Sequence, residues 1–454
     1  MMESRQVVGK FSGLMGWHNL LIALVIAVCA ASKLELSFVP PVLTFTLPVD
    51  DQEISQVEIM FKLNNEFYQL SQASPSSGGW QFKTSAIKLE PTDVIHAYTT
   101  TYGQDGKLKE ITEQKQFTLN SLSAVEMPSP RRISAVVFRD DFNSFDKSQW
   151  NFEVSMYGGY NGEFQVYTND PKNVFVRDGQ LHIHPMPTVD DPRFDENCLY
   201  HGHMDMNALF GMCTISDLDG CVRDGNNGIL PPVMSGKVLS VPTIKFGTVE
   251  VRAKIPRGDW LWPAIWMMPV TEVYGTWPRS GEIDIMESWG NIGDIGVKTV
   301  TSTLHWGPSA DQNRASTTHG ERKSSNWHND FHVWRLEWTQ EHILTFVDNQ
   351  QIMSVTPPDG GFWQKGGFSG YNLWASGSKM APFDLDFYIM FNVAVGGTKG
   401  FFPDGNHYDG VTKPWNNNSP RAMEEFWRAH GAWGPTWQGD NSDLIIDYVE
   451  FKSL

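Results

Sequence analysis

The chain has 454 residues and a formal net charge of −17 at pH 7. That length allows about two or three domains with a sizeable core, and that charge excludes nucleic acid and anionic membrane as natural partners while leaving a neutral ligand open. Charged residues make up only 19% and aromatic residues 13%, with 18 Trp; so many indoles are hard to bury entirely, and exposed rings suited to stacking on sugar faces are expected beside a Trp-rich core.

Taken in chain order, Arg5 and Lys10 precede an apolar run from Leu20 to Ala31 that ends in small residues. The run is too short to span a bilayer and reads as a secretory signal peptide, residues 1–31, with a retained signal anchor as the alternative. Its removal takes away Cys29 and leaves a secreted, extracellular chain. Across residues 32–120, runs such as VEIMFKL, GGWQFKTSAIKL and DVIHAYTTTY alternate between polar turns. They predict a small immunoglobulin-like β-sandwich module, with Trp80 as a core ring. Residues 121–134, with the PSPRR run, read as a linker.

The segment 135–454 carries strand signals throughout, including GQLHIHP, GTVEVRAKIP, HVWRLEWT, LTFVDNQ, FYIMFNVAV and LIIDYVEF. The one short helical candidate is near 421–430. Many strands with polar turns indicate an all-β sandwich of antiparallel sheets. Asn161, Glu163 and Gln165 alternate, so on a strand they share one face and present hydrogen-bonding groups together, either to a ligand or to solvent. Cys213 and Cys221 bracket the polar loop TISDLDG, and a disulfide between them suits an oxidising compartment. Cys198 is then the odd thiol, either buried and inert or exchanging with that pair. The cysteines lack a zinc spacing, and His201 and His203 add only a weak metal signal. Asn417-Asn418-Ser419 is a glycosylation sequon in a polar loop.

The densest chemical signal is Glu282-Ile283-Asp284-Ile285-Met286-Glu287. Three carboxylates in an apolar strand repel one another and push at least one pKa upward, and unequal neighbouring carboxylates are what glycoside hydrolysis uses. The plainer reading is an acidic exposed strand face. In a regular strand Glu282 and Asp284 share a face and Glu287 points away; a β-bulge at Ile285 or Met286 would return Glu287 to the face of Glu282. Backbones about 13 Å apart at ~3.3 Å per residue would then need their side chains to lean inward, toward the ~5 Å carboxyl separation of a retaining glycosidase.

At GTWPRSGEIDIMESWGN the sequence resembles glycoside hydrolase family 16, in the invertebrate branch that holds laminarinases and β-1,3-glucan-binding proteins. The likeness extends over NGEFQVYTND, FGTVEVRAKIPRGDWLWPAIWMMP, TLHWGP, FHVWRLEW, FYIMFNVAVGGT and IIDYVEF, nearly all of residues 135–454. The resemblance implies a jelly-roll β-sandwich, with Glu282 as nucleophile, Glu287 as acid/base and Asp284 tuning the pair. It also implies a sugar cleft lined by Trp262, Trp277, His305 and Trp306, with Trp266 nearer the core, and with Asn161, Glu163 and Gln165 along one side. No cofactor is required, although a structural calcium at Asp447, with a backbone oxygen such as that of Gly179, is a family feature. Pro278-Arg279-Ser280 departs from the usual wording, so Arg279 is expected to reshape a rim of the cleft. The module at 32–120 resembles the glucan-binding domain of arthropod recognition proteins.

These features together predict a secreted, monomeric, retaining endo-β-1,3-glucanase whose partner is β-1,3-glucan. A glucan receptor of innate immunity with little turnover is the alternative, and a transglycosylase using the same intermediate is a third.

Overall fold

Period-two alternation of apolar and polar side chains runs through most of the chain and is realised as strand. The computed structural model describes residues 135–454 except 294, 325–326, 406–407 and 409, together with segments, chiefly strands, between 35 and 118. The expected signal peptide and linker lie outside the described residues. The chain divides into two units, residues 1–131 and 132–454.

The first unit holds two antiparallel sheets. One orders Glu35–Val39, Val42–Leu47, Gly79–Thr84 and Ser74–Ser76; the other is centred on Ile54–Leu63 paired with Val94–Gly103. Val57, Ile59, Ile95 and Ala97 alternate along that central pair and are all buried, so one face of the sheet is covered. Trp80 is half-buried.

The second unit is all-β with mostly antiparallel pairing. One sheet orders Val174–Arg177, Gln180–Ile183, Leu444–Lys452, Gly247–Lys254, His332–Trp338, Ile343–Val347 and Gln350–Val355, and Val136–Asp140 also pairs with Leu444–Lys452. The other sheet has seven strands: β1 (Trp150–Phe152), β2 (Lys237–Ile244), β3 (Leu261–Pro269), β4 (Glu282–Ser288), β5 (Thr299–His305), β6 (His319–Lys323) and β7 (Phe387–Val395), in the spatial order β1-β2-β7-β3-β4-β5-β6. Both sheets feed one core cluster. Val249, Val251, Trp334 and Leu336 come from the first sheet, and Ile265, Met267, Ile283 and Leu304 from the second. The helices are short: Ala422–Arg428 falls where the sequence predicts one, whereas Glu196–His201, Met206–Phe210 and Gly361–Lys365 carry too few turns for a periodic signal. None of the helices among the described residues is long and apolar enough to cross a membrane.

The two faces of the seven-stranded sheet differ because alternation sorts them. Ile283 on β4 and Leu304 on β5 point into the core, and burying each contributes about 1.5–3 kcal/mol. That gain fixes the register in which Glu282, Asp284 and His305 must share the opposite face, despite the repulsion among the carboxylates.

The structure pairs Cys213 with Cys221 in a disulfide, and Cys198 is the free cysteine among the described residues. The sequon residue Asn417 is engaged: its Nδ2 donates to the Phe402 carbonyl at 3.1 Å and its Oδ1 accepts from Lys413 Nζ at 2.6 Å.

Candidate active site

β4 carries the expected bulge. Against β5, Asp284 pairs with Thr303 and Glu287 with Thr301, so three steps on β4 match two on β5. Against β3, Asp284 pairs with Trp266 and Met286 with Ile265, two steps against one. The extra residue is accommodated by turning both Ile285 and Met286 into the core. Glu287 thereby returns to the face of Glu282 and Asp284, opposite Ala264 of β3.

Each carboxylate has its own partner. Trp277 Nε1 donates to Glu282 Oε2 at 2.6 Å, and Trp262 Nε1 donates to Glu287 Oε1 at 2.9 Å. Asp284 lies buried between them. Its Oδ2 has no aligned hydrogen bond, although His305 Nε2 stands 3.3 Å away as an ion-pair contact. Burial first, then the charges of Glu282 and Glu287, hold the Asp284 carboxyl well above the usual range. Glu287 is pushed up to about 6, chiefly by burial, with the Trp262 hydrogen bond and then a positive charge on His305 working the other way. For His305, burial opposes a charged ring, but Glu282, Asp284 and Glu287 favour one more strongly, and the balance pushes the ring up to about 10. The site can therefore hold a proton on Glu287 up to about pH 6, beside a second carboxyl with its own hydrogen-bond donor.

The aromatic residues fall into two classes. Trp277 is 41% exposed, with its ring centroid 5.7 Å from that of His305, so it is open to a sugar face. Trp262 is half-buried and stacked flat on Phe401, with centroids 3.7 Å apart. Trp266 shares the cleft face, donates to Asn392 Oδ1 at 2.6 Å and lies under Lys237 Nζ at 4.7 Å. Trp306 requires a correction: it is 0% exposed, packs against Phe362 and Trp374, and spends its Nε1 on Thr318. Strand alternation explains it, because His305 faces the cleft and its neighbour must face the core.

Asn161, Glu163 and Gln165 also differ from the strand reading. The strand begins only at Gln165, and residues 158–162 form a tight turn in which Gly158, Gly159, Tyr160 and Gly162 all have positive φ. A Cβ on Gly159 would lie 2.1 Å from Glu163 Oε1, so the turn closes directly on that carboxylate. Asn161 Nδ2 and Gln165 Nε2 both donate to Glu163, at 3.1 and 2.7 Å, and Gln165 Oε1 accepts from the Val395 amide. Gln165 is 2% exposed. Asn161 and Gln165 thus turn their NH2 groups to Glu163, and burial raises the Glu163 pKa.

Asp447 is the bulged residue of its strand and pairs with Arg252 NH1 at 2.6 Å. Calcium takes several oxygen ligands, and a lone carboxylate already neutralised by a guanidinium does not fit that donor set. Arg279 bridges to the Pro308 carbonyl at 2.7 Å. Sequence reasoning missed Phe401, which follows the Gly-rich run after FNVAV, and Asn313, whose Nδ2 lies 2.8 Å from His305 Nδ1. The glycines were a signal for the first; the second has none.

Comparison with known proteins places this site in context. Residues 221–380, which include β4, match glycosyl hydrolases family 16. A beta-1,3-glucan-binding protein from Penaeus monodon is 42% identical over 343 residues, covering 72% of this chain and 92% of that protein. The glucan endo-1,3-beta-glucosidase A1 of Niallia circulans is 31% identical over 302 residues, covering 64% of this chain and 36% of that one. Among solved structures, the laminarinase from Rhodothermus marinus aligns with a TM-score of 0.45 at 24% identity, covering 70% of this chain and 96% of that one.

Proposed function

The chain belongs to glycosyl hydrolases family 16, and on that footing we propose that it is a secreted endo-β-1,3-glucanase that cleaves laminarin-like glucans with retention of configuration. The observation that carries this reading is the bulge, which puts Glu282 and Glu287 on one face with separate indole donors, and Glu287 has a raised pKa. Glu287, protonated, gives its proton to the glycosidic oxygen while Glu282 attacks the anomeric carbon, forming a glycosyl-enzyme ester and releasing the leaving sugar. Glu287, now ionised, takes a proton from water as that water breaks the ester, and both carboxyls return to their starting states. Asp284, buried between them, tunes the pair electrostatically, and Trp277 offers a ring for a sugar beside the nucleophile.

A second reading, glucan binding with little turnover, draws support from the name of the Penaeus monodon relative. Incubation with laminarin and reducing-end detection separates the two. The proposal expects oligosaccharide release by the wild type and a loss of about 10,000-fold or more for Glu282→Gln, with binding retained. Binding without release by the wild type, or an unaffected Glu282→Gln variant, overturns it.

A further inference from the structure

We propose that Asn313 is a positioning residue that holds His305 as the neutral tautomer, with its single proton on Nε2 facing Asp284. The geometry is over-determined at Asn313. Its Oδ1 accepts from two backbone amides, Trp306 N at 3.2 Å and Ala315 N at 3.1 Å, so the side-chain amide cannot turn over without setting its NH2 against both N–H groups. With Oδ1 fixed there, Nδ2 is the atom 2.8 Å from His305 Nδ1. An amide NH2 only donates, so Nδ1 must accept and carries no proton. The remaining ring proton is then on Nε2, 3.3 Å from the buried Asp284 Oδ2, which has no other hydrogen-bond partner.

An imidazolium would put an Nδ1–H against the Asn313 NH2, or force the amide to flip and lose both backbone bonds. The titratable groups acting on the ring are Glu282, Asp284 and Glu287 from β4 and His319 from β6. In the balance of burial and charge the three carboxylates win and push the ring up to about 10; the Asn313 NH2, facing Nδ1 as a donor, is the geometric constraint set against that pull. The catalytic consequence rests on the glucanase reading. A positive charge on His305 stabilises ionised Glu287 and strips the acid of its proton at lower pH, so a neutral ring keeps Glu287 available as a donor.

The test uses the full chain labelled with 15N-histidine, with the His305 signals assigned by their loss in His305→Gln. For the wild type between about pH 5.5 and 7.5, the expected result is a bare Nδ1 and a protonated Nε2. In the isosteric Asn313→Asp, whose carboxylate accepts from Nδ1–H, both nitrogens are expected to be protonated over that range. The decline of kcat/KM on laminarin at its alkaline side should then begin roughly 0.5–1 pH unit lower in the variant. A wild-type imidazolium at pH 7, or an Asn313→Asp ring still neutral, overturns the proposal. The nuclear resonance result stands whether or not laminarin is cleaved, so a failure of the glucanase reading is seen separately.

Discussion

At the scale of single residues, Glu287 combines a raised pKa with the clearest chemical use. Its pKa is raised from 4.5 to about 6, chiefly by burial, so in the folded state the proton is held more tightly than in the unfolded chain. The stability linked to that proton is fully present below about pH 4.5 and is lost as pH rises through about 6. Glu287→Gln carries no such loss. After a discount for the part of the side chain that water reaches, the variant should exceed the wild type in stability by about 1 kcal/mol at pH 7.5 and by nothing near pH 4.5. Thermal melts of both proteins across pH check this, and equal pH dependence would remove burial of the carboxylate as the cause. The same variant should lose roughly 100- to 10,000-fold in kcat, and wild-type kcat/KM should fall by about tenfold per unit above pH about 6.

At the scale of elements, the bulge in β4 can be tested by changing strand length. Deleting Met286 restores plain alternation and leaves the third carboxylate opposite Thr301, so both glutamates keep the cleft face. That variant should lose a few kcal/mol of stability, about 2–4, from the missing core side chain, yet still release oligosaccharides from laminarin. Deleting Ile285 and Met286 together turns the third carboxylate into the core and should abolish both release and cooperative folding. Much of this element was legible beforehand, because the ExDxxE spacing itself demands an extra residue. Trp306 could have been read the same way, since it is the odd neighbour of a cleft-facing His305. Asn161, Glu163 and Gln165 misled because alternation in a sequence looks the same in a turn, and the turn that breaks the strand brings Gly158 and Gly159 against Glu163, a close approach that no local pattern encodes.

At the scale of the whole molecule, the strand pattern of residues 135–454 carried the all-β class because each sheet buries one face. The partners of the site residues were less visible. Asn313 and Phe401 reach His305 and Trp262 from loops, through contacts that no local period encodes. Among the described residues, the buried members of the core cluster run from Phe142 to Phe451. A chain starting at residue 132 should therefore fold cooperatively and keep its kcat on short soluble β-1,3-glucan oligosaccharides; loss of the folding transition would show that the first unit contributes to that core.

The most direct test of the central claim is the anomeric configuration of the first products released from laminarin, followed by proton nuclear magnetic resonance before mutarotation. Double displacement through Glu282 predicts that the β-anomer appears first and the α-anomer only later. Initial release of the α-anomer, or no release from a protein that binds the glucan, would contradict it.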